Sequence, residues 1–129
     1  MCNRIADDAA EVALLGAMIR VAACRTAVAS VDRDGLFTRD AHQRLCNVIL
    51  GMHHDGLHID GVTVLVRCCD LDVIDELGGP TCVYDVMNVD ACPAPSAWRS
   101  YLDVVLERAA RRRRIAELRA ALAELEGAS

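Results

Sequence analysis

The sequence contains no lysine, because all 14 of its basic residues are arginine. An ATP-binding phosphate loop needs a lysine at the end of a glycine-rich G-x-x-x-x-G-K-[ST] pattern, where it holds the β- and γ-phosphates. The adjacent glycines Gly78 and Gly79 are followed instead by Pro80 and Thr81. We therefore expect this chain alone not to hydrolyse ATP. We also expect it to contain no catalytic residue and to hold no cofactor.

Aromatic residues are almost as scarce, at 3% of the 129 residues, while 53% are hydrophobic and 26% are charged. This composition excludes a disordered or low-complexity chain, and it predicts a single domain with an aliphatic core. The formal net charge of −5 argues against a general polyanion-binding protein.

A secretory signal is also missing from the first residues, where Asp7, Asp8 and Glu11 stand in place of a basic and then apolar segment. The longest apolar stretch, from Ala13 to Ala29, is interrupted by Arg20 and Arg25 and is too short to cross a membrane. These absences predict a cytoplasmic protein with no membrane partner, whose seven cysteines stay reduced.

Helical spacing of apolar residues predicts an all-α fold with six short helices and one long one. Asp8 and Glu11 are interpreted as a capping box for the first helix. The other short helices are expected over about 21–31, over 40–54, after a cap at Asp60, from Asp72 to Gly78-Gly79, and from Pro80. The run Val62-Thr-Val-Leu-Val66 has strand propensity, so a short strand is the competing interpretation there.

The last third of the chain predicts one long helix, since no glycine or proline occurs between Ser96 and Glu126. We assign residues 1–95 to a compact helical head, 96–126 to the long helix and 127–129 to a tail. Such a helix outruns a small head, so part of it is expected to pack against another chain. The predicted interface residues form an apolar stripe: Trp98, Tyr101, Val105, Ile115, Leu118, Leu122 and Leu125.

Four consecutive arginines, Arg111, Arg112, Arg113 and Arg114, lie in the middle of this helix. Two interpretations are open: a solvated charged face paired with nearby glutamates, or a contact to an anion or nucleic acid. Successive helical residues point about 100° apart, so the four side chains cannot form one flat patch. The solvated face is the preferred interpretation.

Histidines and cysteines near the middle of the chain raise the question of a zinc site, which would draw on His53, His54, His58, Cys46, Cys68 and Cys69. No C-x-x-C pair is present, and the adjacent Cys68 and Cys69 cannot both reach one tetrahedral ion from a helix without strain. Free cysteine also behaves as a small buried hydrophobe. We therefore predict no metal site.

Taken in order, several short motifs resemble the N-terminal domain of the DnaB family of replicative DNA helicases. The resemblance covers nearly the whole chain, from about Ala9 to Arg114. The matching motifs are Leu15-Gly-Ala-Met18, Phe37 with Ala41-His42, Gly56 with Ile59-Asp60-Gly-Val-Thr-Val64, Leu77-Gly-Gly79, and Pro93 with Tyr101, Val105, Glu107-Arg-Ala109 and Arg112-Arg113.

This resemblance implies an all-α head followed by a helical hairpin. In the family such domains pair through their hairpins, form a collar on a hexameric ring, and dock primase or loader proteins. We therefore expect a non-catalytic protein-interaction module of DNA replication. Its partners would be a second copy of itself and a replicative helicase, primase or helicase loader.

The chain departs from the family pattern because it ends near the close of the first hairpin helix, so the returning helix is not expected here. Two alternative functions stay open. The chain could be the N-terminal fragment of an ATP-dependent replicative helicase whose motor domain, with its ATP and Mg²⁺, lies elsewhere. A weaker alternative is a nucleic-acid-binding regulator that uses the arginine run.

Overall fold

A computed structural model describes residues 2–128 and shows six α-helices with two short 3₁₀ turns. The helices are α1 (Cys2–Arg20), α2 (Ala22–Ala29), α3 (Asp40–His54), α4 (Gly61–Asp70), α5 (Thr81–Met87) and α6 (Trp98–Ala128), and the turns span Asp75–Leu77 and Pro95–Ala97. No strand occurs within this range, so the all-α prediction is confirmed and the run from Val62 to Val66 is helical.

Helix α1 forms the centre of the head. Glu11 and every residue from Ala13 to Ile19 are buried, and helices α2, α3, α5 and α6 pack against α1. The core around it is mainly aliphatic, and Phe37 is the one aromatic residue among the buried members of this core within residues 2–128. An aliphatic core of this kind is what the scarcity of aromatic residues predicts.

The prediction of a capping box at the start of α1 is wrong. Helix α1 begins at Cys2, so Asp8 and Glu11 lie inside it rather than at its end. The Glu11 side chain does not turn back to its own helix, because its oxygens accept hydrogen bonds from Thr38 and pair with His42.

The loops around α3 and α4 follow the sequence prediction more closely. Helix α3 has the predicted bounds, and Asp60 caps α4 by accepting a hydrogen bond from the Thr63 backbone N–H at 2.8 Å. The helix predicted from Asp72 is instead a 3₁₀ turn over Asp75–Leu77. Asp72 itself has a left-handed backbone conformation, with φ of 56°, so it cannot be part of a right-handed helix.

With respect to membranes, no single helix within residues 2–128 has the length and apolar character needed for a span. Helices α1 and α2 reach that length and composition only as a pair, and they are bent by 118° where they join.

Candidate functional site: the projecting helix

Helix α6 is 31 residues long, which corresponds to about 46 Å at 1.5 Å per residue. Its first part packs on α1 through Leu102, Val105 and Ala109, which follow the i, i+3, i+7 spacing of one helix face. Every residue from Arg113 to Ala128 is exposed. Roughly half of α6 therefore projects from the head without cover from the described chain.

Polar contacts near the middle of α6 fix the direction in which it projects. Arg112 donates hydrogen bonds to the carbonyl oxygens of Gly35 and Leu36, both at 3.1 Å. The Asp7 carboxylate lies 3.3 Å from Arg108 Nε and 3.8 Å from Arg112 Nη1. These contacts tie α6 to α1 and to the loop before α3.

The three predicted interface residues nearest the head, Trp98, Tyr101 and Val105, are partly or wholly buried in the head itself. Val105 is only 2% exposed, so we correct its assignment from an interface residue to a core residue. Trp98 and Tyr101 are half-buried against the same core, and the Tyr101 hydroxyl accepts a hydrogen bond from the Ala94 backbone at 3.3 Å. They anchor the base of α6 to its own head.

The four predicted interface residues farther along α6 are exposed. Ile115, Leu118, Leu122 and Leu125 are between 42% and 70% accessible. We call these four residues the outer stripe. Their 3-4-3 spacing is that of the a and d positions of a heptad, the pattern by which helices pair side by side.

The outer stripe is not a continuation of the buried face. At about 100° per residue, Leu118 lies about 140° around the helix from Val105, and Leu125 lies about 160° away. The sequence prediction combined the two sets into one stripe. The sequence did contain a sign of this change. The step from Val105 to Ile115 is ten residues, which is not a whole number of helical turns, so the apolar residues move to another side of the helix.

The arginine run is divided among different contacts. Arg111 donates to the Glu107 carboxylate at 2.8 Å, and Arg112 is held by the loop carbonyls of the head. Arg113 and Arg114 are exposed and point about 100° apart. The geometry thus gives more support to a structural role for Arg112 than to a continuous anion-binding patch.

Replacing Arg112 by alanine should lower the free energy of unfolding by about 1 kcal/mol, since two carbonyl oxygens lose a charged donor that is partly exposed to solvent. Arg113→Ala, the neighbouring exposed position, should leave it unchanged within about 0.5 kcal/mol. Urea unfolding followed by circular dichroism measures both. Equal effects of the two variants would contradict the assigned role of Arg112.

The residues considered for zinc are dispersed or engaged elsewhere. Burial raises the pKa of Cys46 to about 12 and that of Cys68 to about 11, which keeps both thiols protonated. His53 Nδ1 accepts a hydrogen bond from Arg25, and His58 pairs with Asp60 at the surface. Within residues 2–128 no group of three or more His, Cys, Asp or Glu side chains is placed to hold a metal ion.

The head and its projecting helix define a class of all-α domain in which one helix extends well beyond the core. The family model of the DnaB-like helicase N-terminal domain matches residues 5–107. The chain therefore belongs to this family of replicative helicase domains, as its motifs predicted. The matched region ends before the outer stripe begins.

Two relatives support this assignment. The chain is 30% identical over 106 residues to "Replicative DNA helicase DnaC" of Bacillus subtilis (strain 168), a match that covers 82% of this chain and 23% of that protein. The chain therefore spans less than a quarter of that relative's length. It also matches the crystal structure of the N-terminal domain of DnaB helicase from Mycobacterium tuberculosis, with a TM-score of 0.74 and 28% identity, over 83% of this chain and 76% of that one.

Proposed function

We propose that this chain is a non-catalytic protein-interaction module of DNA replication, and that it self-associates through the outer stripe of α6. The observation that carries the proposal is the set of four large aliphatic side chains exposed on the projecting half of one helix. Contiguous apolar surface of this kind is typical of interaction sites. Membership of a helicase domain family supports a role for this interaction in replication.

The energetics of the helix support the same proposal. Most helical stability in proteins comes from packing of an apolar face, and an isolated segment of about 15 residues is only marginally stable in water. The projecting half of α6 has no tertiary packing within residues 2–128. A second helix or a protein surface packed on the outer stripe would supply the missing contacts. A replicative helicase, a primase or a helicase loader could use the same face.

The alternative function is that of an N-terminal part of an ATP-dependent replicative helicase. It is favoured because the match to this chain covers only 23% of the length of the Bacillus helicase. In that case a later segment of the same polypeptide could cover the outer stripe. The reading frame beyond the Ser129 codon decides the matter: a continuation into a glycine-rich loop with lysine would support the helicase fragment, and a stop codon would contradict it.

Self-association is tested by sedimentation equilibrium of the purified chain over a wide concentration range. The wild type should gain mass with concentration, and Leu122→Asp should raise the dissociation constant at least about tenfold, because a charge would be buried in an apolar contact. Ala120→Asp is the matched control, since it places the same charge on the same exposed segment but about 160° from Leu122.

The proposal fails if the wild type stays monomeric at every concentration. It also fails if Ala120→Asp weakens association as much as Leu122→Asp does, because the contact would then not depend on the outer stripe.

A further inference from the structure

A second exposed apolar surface lies on the head, where the end of α3 and the following loop meet α4. The cavity has a volume of about 360 Å³, and its lining includes Met52, Leu57, Val62 and Val66. Val62 and Val66 are 65% and 54% exposed although both belong to a well-capped helix. We call this surface the α4 groove.

The surroundings of the α4 groove are acidic. Asp70 lines the groove together with Arg67 and His58. Asp55 lies 3.7 Å from Arg67, and Asp60 pairs with His58 at 2.9 Å, so three carboxylates accompany one arginine and one histidine there. The whole head shares this bias, since residues 1–95 contain 14 acidic and 7 basic residues, a formal charge of −7. Residues 96–129 contain 5 acidic and 7 basic residues, a formal charge of +2. This positive excess lies in residues 96–112, since the projecting residues 113–128 contain three arginines and three glutamates. Complementarity to the acidic groove therefore depends on which side of the projecting helix carries its arginines.

The basic residues of α6 lie close to the outer stripe. On an ideal helix, Arg114 and Arg119 fall within about 80° of the centre of the stripe, while Glu117 and Glu124 fall about 120° or more away. Glu126 flanks the far end of the stripe. The section around Ile115 and Leu118 therefore presents apolar side chains between positive charges.

The same charges disfavour packing of one outer stripe on another. An antiparallel pair that matches Ile115 with Leu125 and Leu118 with Leu122 is centred near residue 120, so Arg119 meets the Arg119 of the second copy. A parallel pair brings Arg114 next to the second copy's Arg119 at the g and e positions. Like charges at such positions destabilise the pair.

We propose that the outer stripe of one copy docks in the α4 groove of a second copy, with Leu118 and Leu122 packed against Val62 and Val66. Both pairs are one helical turn apart, so the two helices can interdigitate as ridges into grooves. The inference rests on the proposed function, because it names the surface that receives the projecting helix. The contact is heterologous, so repetition would generate a ring or a filament.

The test uses two variants that each remove one side of the contact. Leu122→Asp damages the stripe and keeps the groove, whereas Val66→Asp damages the groove and keeps the stripe. Each variant alone should lose self-association at least about tenfold. An equimolar mixture should form a 1:1 complex in sedimentation velocity, because one variant supplies an intact stripe and the other an intact groove.

Two further variants guard against misfolding and non-specific charge effects. Val62→Asp should act like Val66→Asp, and it lies in the first turn of α4, where the helix dipole favours a carboxylate. Val89→Asp places the same charge on another exposed valine of the head, outside the groove, and should associate like the wild type. Added salt should weaken association of the wild type, since exposed opposite charges are screened.

The outcomes separate this inference from the proposed function. If Val62→Asp and Val66→Asp self-associate like the wild type while Leu122→Asp does not, the groove is not the receptor and the proposed function stands. If both sides are required but the mixture forms no complex, the heterologous contact is overturned. A wild type that stays monomeric at every concentration would contradict both the contact with the α4 groove and the proposed function.

Discussion

Replacing Glu11 by alanine is expected to lower the free energy of unfolding by about 3 kcal/mol, because it leaves buried polar partners without their acceptor. Glu11 is 2% exposed and His42 is 5% exposed. The Glu11 Oε2 atom accepts hydrogen bonds from the Thr38 backbone at 3.0 Å and the Thr38 hydroxyl at 2.8 Å, and Oε1 lies 2.8 Å from His42 Nδ1.

The size of this effect follows from where the three residues lie. Glu11 belongs to the central helix α1, Thr38 to the loop before α3, and His42 to the first turns of α3. The carboxylate is thus the polar link between two helices and the loop that also holds α6 through Arg112. Its removal should loosen the base of the projecting helix as well as the core.

Asp8→Ala is the control for Glu11→Ala. Asp8 lies one turn earlier on the same helix and forms a more exposed ion pair with Arg39 at 2.9 Å, so its replacement should cost less than about 1 kcal/mol. Urea unfolding at neutral pH measures both variants. Equal losses for Asp8→Ala and Glu11→Ala would show that the buried link contributes no more than a surface ion pair.

The dependence of stability on acid pH gives a further test of the contacts that Glu11 makes with Thr38 and His42. Burial by itself raises the pKa of the Glu11 carboxyl, but the hydrogen bonds from His42 and Thr38 outweigh burial and hold its pKa below the ordinary value of 4.5. The stabilisation is therefore complete above pH 4.5 and is lost as the pH falls through the lowered pKa of the folded state. The difference in stability between wild type and Glu11→Gln should shrink over that acid range.

Local signals in the sequence predicted the local structure well. The polar cap at Asp60, the helix over 40–54 and the break at Pro93 and Pro95 depend on residues close together in the chain, and all three are present. The absence of glycine and proline between Ser96 and Glu126 correctly predicted the long helix. The family motifs supplied the fold because their order and spacing reflect the whole domain.

Features that depend on distant residues could not be predicted in the same way. Glu11 and Asp8 have the spacing of a capping box, but Glu11 is directed by Thr38 and His42, more than 25 positions away. The α4 groove likewise depends on how the end of α3 meets α4. Helix periodicity identified apolar residues on α6 but could not show which of them the head would cover.

Val105→Asp should lower the free energy of unfolding by about 4 kcal/mol or more, because it buries a charge without a partner at the contact between α6 and α1. Small domains are stable by only about 5–15 kcal/mol, so this variant should be largely unfolded under mild conditions. Leu122→Asp makes a similar change on the same helix, 17 positions farther along. Since Leu122 is exposed, that change should cost the isolated chain less than about 0.5 kcal/mol.

The comparison of these two variants decides whether α6 has two apolar faces with separate roles. Thermal and urea unfolding of each variant, at a concentration where the wild type is monomeric, should show loss of the cooperative transition for Val105→Asp and a wild-type transition for Leu122→Asp. If Leu122→Asp unfolded the chain as Val105→Asp does, the projecting half of α6 would be packed against its own head in solution. Its apolar residues would then be core, and the self-association proposed for the outer stripe would lose its physical basis.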